Sequence, residues 1–157
     1  MGSIYFHHSG DFGPTWSSDV FVATGDSPSV AIFPDDLLVE SYENGGTCYL
    51  RESNDNGDTW SAAFGTVTGM NPYLWVSQDG AILYRVYYDS GQVKFQYSTD
   101  VGATWSSAVN IAASVNAAAP TGISLADEVL QVVWRDGATT YYYYNETVDG
   151  SGAWTAV

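Results

Sequence analysis

Cysteine and long apolar runs are nearly absent from this chain of 157 residues. Cys48 is the only cysteine, so an internal disulfide and a thiolate metal cage are both excluded. A single cysteine of this kind is typical of a buried structural thiol. No apolar run approaches the ~20 residues that a membrane-spanning helix needs. We therefore expect no insertion into a membrane.

Basic residues are scarce as well. Arg51, Arg85, Lys94 and Arg135 stand against 18 acidic residues, which gives a formal net charge of −14. Proteins that bind phosphate backbones neutralise them with clustered Lys and Arg, and this chain cannot assemble such a cluster. Nucleic acids and anionic membrane surfaces are therefore excluded as partners. We interpret the three arginines as surface cations that relieve an acidic surface.

The motifs of common catalytic and metal sites are missing too. His7 and His8 are the only histidines, and adjacent residues of a strand point to opposite faces. No G-x-S-x-G nucleophile motif occurs. Neighbouring carboxylates such as Asp35 and Asp36 lie in predicted turns, where acids are ordinarily solvated. We predict no bound metal, no cofactor and no catalytic residue of these kinds.

The chain is rich in residues that form strands and turns. It holds 12 Tyr, 6 Trp and 16 Gly. Aromatic residues favour strands and glycines favour tight turns, and no long helical pattern occurs. The composition therefore predicts an all-β fold of short strands.

One eight-residue pattern recurs along the chain. Residues 9–16, 53–60 and 98–105 fit S-x-D-x-G-x-T-W without a mismatch, and residues 149–154 form a decayed copy. We call these segments corners. Their predicted structural residues are Ser9, Asp11, Gly13, Trp16, Ser53, Asp55, Gly57, Trp60, Ser98, Asp100, Gly102, Trp105, Asp149, Gly152 and Trp154.

The spacing of the corners is about 45 residues, which is the length of one four-stranded, antiparallel β-propeller blade. The phase predicts half a blade at residues 1–25 and whole blades at residues 26–69, 70–114 and 115–157. Propellers have typically four to eight blades, so about three and a half blades leave the ring open. We expect it to be completed by a homo-oligomer or to be part of a larger propeller.

The corner has its own folding chemistry. A short Asp side chain can accept hydrogen bonds from nearby backbone N–H groups and so hold a turn. The Gly two positions later supplies a positive φ, and the Trp buries a large apolar face beneath the hairpin. The corner residues are therefore predicted to be structural, and their Asp side chains are not predicted to bind calcium.

This pattern resembles the Asp-box, or BNR repeat, of sialidases and other propeller proteins, and the resemblance covers nearly the whole chain. It implies a β-propeller that acts on or binds glycans, with each box between the third and fourth strands of a blade. It does not imply activity, because the box lies away from the central site.

A sialidase-like mechanism, as the resemblance implies it, needs three Arg around a carboxylate, a Tyr–Glu nucleophile and an Asp for proton transfer. Arg51 falls on a predicted third strand, Arg85 on a second strand and Arg135 at the end of one, so we expect these arginines not to converge. The family's F-R-I-P signature is absent, and residues 32–34 retain only apolar fragments. We predict a protein that is not an enzyme.

Aromatic side chains provide a more promising binding surface, because their faces pack against the C–H surfaces of sugars. We predict a ligand face formed by Tyr73, Trp75, Tyr88, Trp134 and Arg135, of which Tyr73 and Trp75 lie on a first strand that lines the central channel of a propeller. The predicted function is lectin-like glycan recognition or scaffolding at a cell or virion surface, outside the cell. A sialidase-like glycoside hydrolase, or a fragment of one, and a purely structural assembly module remain the alternatives.

Overall fold

A computed structural model describes residues 1–113, 119–126, 129–147 and 150–156. These residues form thirteen β-strands and no helix, which confirms the predicted all-β fold. The strands are β1 (Gly2–Phe6), β2 (Val20–Ile32), β3 (Leu38–Asn44), β4 (Thr47–Ser53), β5 (Phe64–Thr68), β6 (Met70–Val76), β7 (Leu83–Asp89), β8 (Gln92–Ser98), β9 (Val109–Ala113), β10 (Ala119–Ala126), β11 (Val129–Asp136), β12 (Thr139–Asn145) and β13 (Thr155–Ala156).

Within each sheet the strands pair with their neighbours in sequence order, always antiparallel. The long strand β2 changes partner along its length: residues 20–25 pair with β1, whereas residues 26–32 pair with β3. Ser27, with a φ of 54°, lies where this register shifts. We call β1 with the first part of β2 the N-terminal hairpin. The rest of β2 with β3–β5 is sheet 1, β6–β9 are sheet 2 and β10–β13 are sheet 3.

The three sheets repeat one another in register. Leu38 pairs with Ser53, Leu83 with Ser98, and Leu130 with Asn145. Each pair joins the second strand of a sheet to the last residue of its third strand. The sheets are therefore copies of one unit, and a residue in one sheet has a structural equivalent in the others.

The first strands of successive sheets lie side by side. The Ser27 hydroxyl donates a hydrogen bond to Oδ1 of Asn71 over 2.9 Å. The backbone N–H of Leu74 donates to Oγ of Ser29 over 3.0 Å. These bonds join β2 to β6, so β2 and β6 stand as inner strands from which their sheets extend outward, as in propeller blades.

The apolar core lies between the sheets rather than within any one of them. Each gap is filled by side chains from both of its walls, and packing of sheet faces in this way buries the apolar residues of each strand. The fillings are Ile4, Val22 and Tyr42 between the hairpin and sheet 1; Val39, Leu50, Leu74 and Leu83 between sheets 1 and 2; and Tyr84, Val86, Phe95, Ile123, Leu130 and Val132 between sheets 2 and 3.

Each complete corner is closed by hydrogen bonds among its own residues. In the second corner the Ser53 hydroxyl donates to Asp55 over 2.7 Å and accepts from the Gly57 N–H over 2.9 Å. Asp55 accepts from the hydroxyl and the backbone N–H of Thr59, and these bonds lower the pKa of Asp55 to about 2. The first and third corners repeat the same bonds.

Each corner after the first also packs against the preceding unit. Its glycine lies against one side chain, which we call the knob residue, three positions before the first residue of the previous corner. A Cβ built on the glycine would lie 2.2 to 2.6 Å from that side chain. The pairs are Gly57 on Phe6, Gly102 on Leu50 and Gly150 on Phe95. The corner Trp contacts the same knob residue as the corner glycine. The ring centroid of Trp60 lies 5.4 Å from that of Phe6, and the ring centroid of Trp154 lies 5.4 Å from that of Phe95.

The last corner differs from its predicted form. Asn145 and Thr147 occupy the Ser and Asp positions, because Oδ1 of Asn145 accepts hydrogen bonds from the N–H and hydroxyl of Thr147. Gly150, rather than Gly152, packs on the knob residue. Gly152 instead donates its N–H to Oγ1 of Thr147. The predicted Asp149 lies outside the described residues.

Loss of a corner hydroxyl is expected to destabilise the fold. In Ser53→Ala the buried N–H of Gly57 loses its acceptor, which costs about 1 to 3 kcal/mol of unfolding free energy. Urea denaturation of the variant measures this loss. Ser9→Ala is the matched control, because the same bond in the first corner is more exposed, and its loss should be smaller. Equal losses of unfolding free energy in the two variants would show that burial of the corner does not determine the size of the loss.

Candidate functional site

A groove of about 490 Å³ opens between the inner strands β2 and β6. Its walls include Val30 and Ile32 from β2, which are exposed, and Tyr73 and Trp75 from β6, which are half-buried. Residues two apart on a strand share a face, and Tyr73 and Trp75 share the face of β6 that packs against the core between sheets 2 and 3. The predicted ligand residues Tyr73 and Trp75 therefore lie together in this groove.

The indole of Trp75 is held in place from behind. It stacks on the ring of Tyr84, with 5.4 Å between ring centroids and 25° between ring planes, and Tyr84 is completely buried. Tyr84 in turn contacts the ring of Phe95. Because Trp75 rests on a packed core, it offers a preorganised aromatic surface to a ligand.

Few polar side chains line the groove. Ser77 is buried, and its hydroxyl donates to Asp79 over 2.6 Å and accepts from the N–H of Ile82 over 2.9 Å. The amide of Gln78 is exposed at the groove and can hydrogen-bond to a ligand. None of the described lining residues is acidic or basic. The groove is therefore an aromatic and aliphatic surface with one amide.

Val30 and Gln78 are groove residues that the sequence analysis missed. Val30 could have been found from the alternation of β2, because it lies two positions before Ile32. Gln78 lies in the turn between β6 and β7, and the sequence holds no signal that this turn borders the groove.

The other predicted ligand residues are not brought to this groove. Tyr88 pairs with Met70 and Arg135 with Ala119, so both lie beside the beginning of an inner strand. Trp75 lies near the other end of its inner strand. Arg135 is exposed and Tyr88 is half-buried against the core between sheets 2 and 3. The five predicted residues therefore do not form a single site.

The prediction that Trp134 faces a ligand is wrong. Its side chain is only 1% exposed, and its ring lies 4.5 Å from Tyr143 and 5.7 Å from Tyr141. Trp134 occupies the position of Tyr42 in sheet 1 and Tyr87 in sheet 2, both of which are also buried. It is a core residue of the last sheet.

The interpretation of all three arginines as surface cations is wrong for Arg85, which is 2% exposed. Its guanidinium donates to the carbonyl of Gly65 over 2.9 Å and to Oε1 of Gln96 over 2.8 Å. It also lies 3.9 Å from the ring of Trp105, a cation–π contact. Burial lowers the pKa of Arg85 to about 10. Arg85 therefore joins sheet 2 to sheet 1 and is not available to a carboxylate ligand.

Among the residues that the structure describes, neither an exposed thiol nor a cluster of metal-ligating groups is found. Cys48 is buried, as predicted, and burial raises the pKa of its thiol to about 12. In the described ranges no three His, Cys, Asp or Glu side chains cluster closely enough to hold a metal ion. The same residues contain no helix of the length and apolarity needed to span a bilayer.

Comparison with known proteins gives a fold but no family. No protein-family model matches the chain, and no curated protein matches its sequence. Among solved structures, the Hadza microbial sialidase Hz136 aligns over 99% of this chain and 40% of its own, with a TM-score of 0.69 and 16% identity. The GH93 α-L-arabinofuranosidase of Fusarium graminearum, in complex with arabinobiose, aligns over 99% of this chain and 58% of its own, with a TM-score of 0.64 and 17% identity.

The xylan β-1,4-xylosidase of Bacillus halodurans C-125 aligns over 98% of this chain and 36% of its own, with a TM-score of 0.66 and 16% identity. The chain thus spans about 36 to 58% of the length of these three structures. Identities this low show the fold alone. The chain is a partial β-propeller with a sialidase-like fold, a fold that these carbohydrate-active enzymes share.

Proposed function

We propose that this protein is a glycan-binding module that recognises neutral sugars through the groove between β2 and β6. The observation that carries the proposal is the pair Tyr73 and Trp75 on one wall, with Trp75 fixed from behind by Tyr84. Aromatic faces pack on the C–H faces of sugar rings, and the Gln78 amide can pair with a hydroxyl.

Charge favours a neutral sugar over an acidic one. The described lining residues include no cation to pair with a carboxylate, and Arg85 is enclosed between sheets 1 and 2. The net charge of −14 also repels anionic ligands. A sialylated glycan is therefore expected to bind more weakly than its neutral counterpart.

The lining also supports binding without hydrolysis. Glycosidases ordinarily place two carboxyl groups across the scissile bond, and the described lining residues contain none. The proposed binding role therefore does not require the enzymatic activities for which the structurally similar proteins are named.

The corners support a second part of the proposal, that the chain is an Asp-box protein. The Ser–Asp–Gly–Thr hydrogen bonds and their recurrence every 44 or 45 residues in the complete corners are the features in its favour. An extracellular or virion-surface location, where glycans are displayed, is consistent with this assignment.

An array of neutral and sialylated glycans, followed by titration with the best ligand, tests the proposed function. Trp75→Ala is expected to weaken binding about tenfold or more, the effect of losing roughly one stacking contact. Tyr5→Ala, which removes an exposed aromatic ring from β1, is the matched control and should bind normally. Circular dichroism checks that both variants are folded.

Three outcomes would contradict the proposal. The array could remain blank at high protein concentration, which would favour the structural alternative. Binding could be equally strong in wild type and Trp75→Ala. The purified protein could release the fluorophore from a fluorogenic sialoside, which would restore the hydrolase alternative.

A further inference from the structure

Within the part of the chain that the structure describes, the same contact between successive units occurs three times. In each case the corner of one unit packs on the knob residue of the unit before it, and the glycine allows the close approach. The knob residues Leu50 and Phe95, on which the third and the last corner pack, are buried. One corner and one knob position do not take part in such a contact, and they lie at opposite ends of the described structure.

The N-terminal end carries a corner with nothing beneath it. A Cβ built on Gly13 would meet no atom within 4 Å, whereas the equivalent glycines touch their knob residues. Trp16 is 65% exposed and Phe12 is fully exposed. Val101, which occupies the position of Phe12 in the third corner, packs on the core between sheets 1 and 2. We call Phe12, Gly13 and Trp16 the free corner.

The C-terminal end carries a knob position with no corner on it. Tyr142 lies three residues before Asn145, as Phe95 lies three before Ser98, and the two pair with Val133 and Val86 at equivalent places. Tyr142 is half-buried, and no described glycine packs against it. Its neighbour Tyr141 is an exposed aromatic residue.

We propose that two copies of this chain associate head to tail, with the free corner of one copy packed on Tyr142 of the other. A second copy is the occupant because the chain already makes this contact three times within itself, and every copy carries both missing halves. The interface is heterologous, so it forms a closed ring when the rotation between copies closes. This inference does not depend on the proposed glycan groove.

Geometry favours a dimer. Each chain provides three sheets and a hairpin, which occupy four successive positions around the axis. Two copies supply about eight positions, within the range of roughly four to eight blades that propellers adopt, and three copies exceed it. Each copy has a net charge of −14, so added salt should strengthen the association by screening repulsion.

Sedimentation equilibrium of the whole chain at several salt concentrations tests the proposal. Wild type is expected to be a dimer. Trp16→Ala and Tyr142→Ala are each expected to raise the dissociation constant roughly thirtyfold or more, as loss of a central aromatic contact does. Gly46→Ala, in a hairpin turn with open space around it, is the control and should leave association unchanged. Thermal unfolding of each variant shows whether it remains folded.

A mixing experiment tests the head-to-tail geometry itself. Trp16→Ala keeps an intact Tyr142 end, and Tyr142→Ala keeps an intact free corner. A mixture of the two should therefore associate through one intact contact, and more tightly than either variant alone. Three results would each overturn the proposal: wild type that stays monomeric at all concentrations, association that neither substitution weakens, or a mixture that associates no more tightly than either variant alone.

Discussion

Gly102→Ala is expected to lower the free energy of unfolding by about 2 to 5 kcal/mol. Gly102 has a φ of 88°, in which an L-residue is strained, and a Cβ there would lie 2.6 Å from Cδ1 of Leu50. Leu50 is buried in the core between sheets 1 and 2 and has no room to move away. Backbone strain and overpacking therefore add. Urea denaturation measures the loss.

Gly46→Ala separates these two contributions. Gly46 has a φ of 79°, but a Cβ at this position would meet no atom within 4 Å. Only the backbone strain of about 1 to 2 kcal/mol is expected there. If both variants lost the same stability, overpacking against Leu50 would make no contribution to the cost of Gly102→Ala.

The second large effect concerns pH. Glu40 on β3 is 4% exposed, and its Oε2 is a buried atom without a hydrogen-bond partner among the described residues. Burial raises the pKa of Glu40 from 4.5 to about 7, although the charge of Arg51, which faces it on β4, opposes the shift. The folded state therefore holds a proton that the unfolded chain has already released in this range.

The sign of the effect follows from this difference in proton binding. The stability linked to Glu40 is fully present below pH 4.5 and is lost as the pH rises to about 7. The loss is roughly 3 kcal/mol, the free energy of a shift of that size. Glu40→Gln lacks this titration, so its stability should change less between pH 4.5 and 8 and should exceed that of wild type at pH 8.

Thermal and urea unfolding across this pH range provide the measurement. Glu52→Gln is the matched control, because it removes one negative charge from an exposed position on β4. Any general relief of the acidic surface appears in both variants. A Glu40→Gln profile that runs parallel to the profile of Glu52→Gln would contradict the assignment.

The corners were predictable because their chemistry is local. Ser53, Asp55, Gly57 and Thr59 bond to one another within seven residues, so the pattern of residue types defines the turn. Their spacing then predicts the number and length of the sheets. The all-β fold and the partial propeller followed from this one repeated segment.

The candidate site was predictable only in part, because its residues meet through contacts distant in sequence. Tyr73 and Trp75 were found from their place on an inner strand. The error at Trp134 could have been avoided, since alignment of the repeats places it with Tyr42 and Tyr87, and three aromatic residues at one position indicate a core. The burial of Arg85 could not be predicted from the sequence in this way. Its charge suggests a surface residue, and the Gly65 carbonyl that binds it lies on the preceding sheet.

The direction of the contact between corner and knob residue has a consequence for how such a chain can grow. Each corner after the first packs on the unit before it. Every unit therefore adds one knob residue and one corner in a fixed order, as in a linear array of repeats. A duplicated stretch of about 45 residues, inserted in phase, would therefore find both of its neighbours already shaped to accept it. Insertion of a whole unit leaves the existing contacts between corners and knob residues intact, whereas a duplication out of phase would disrupt the contacts on both sides of the insertion.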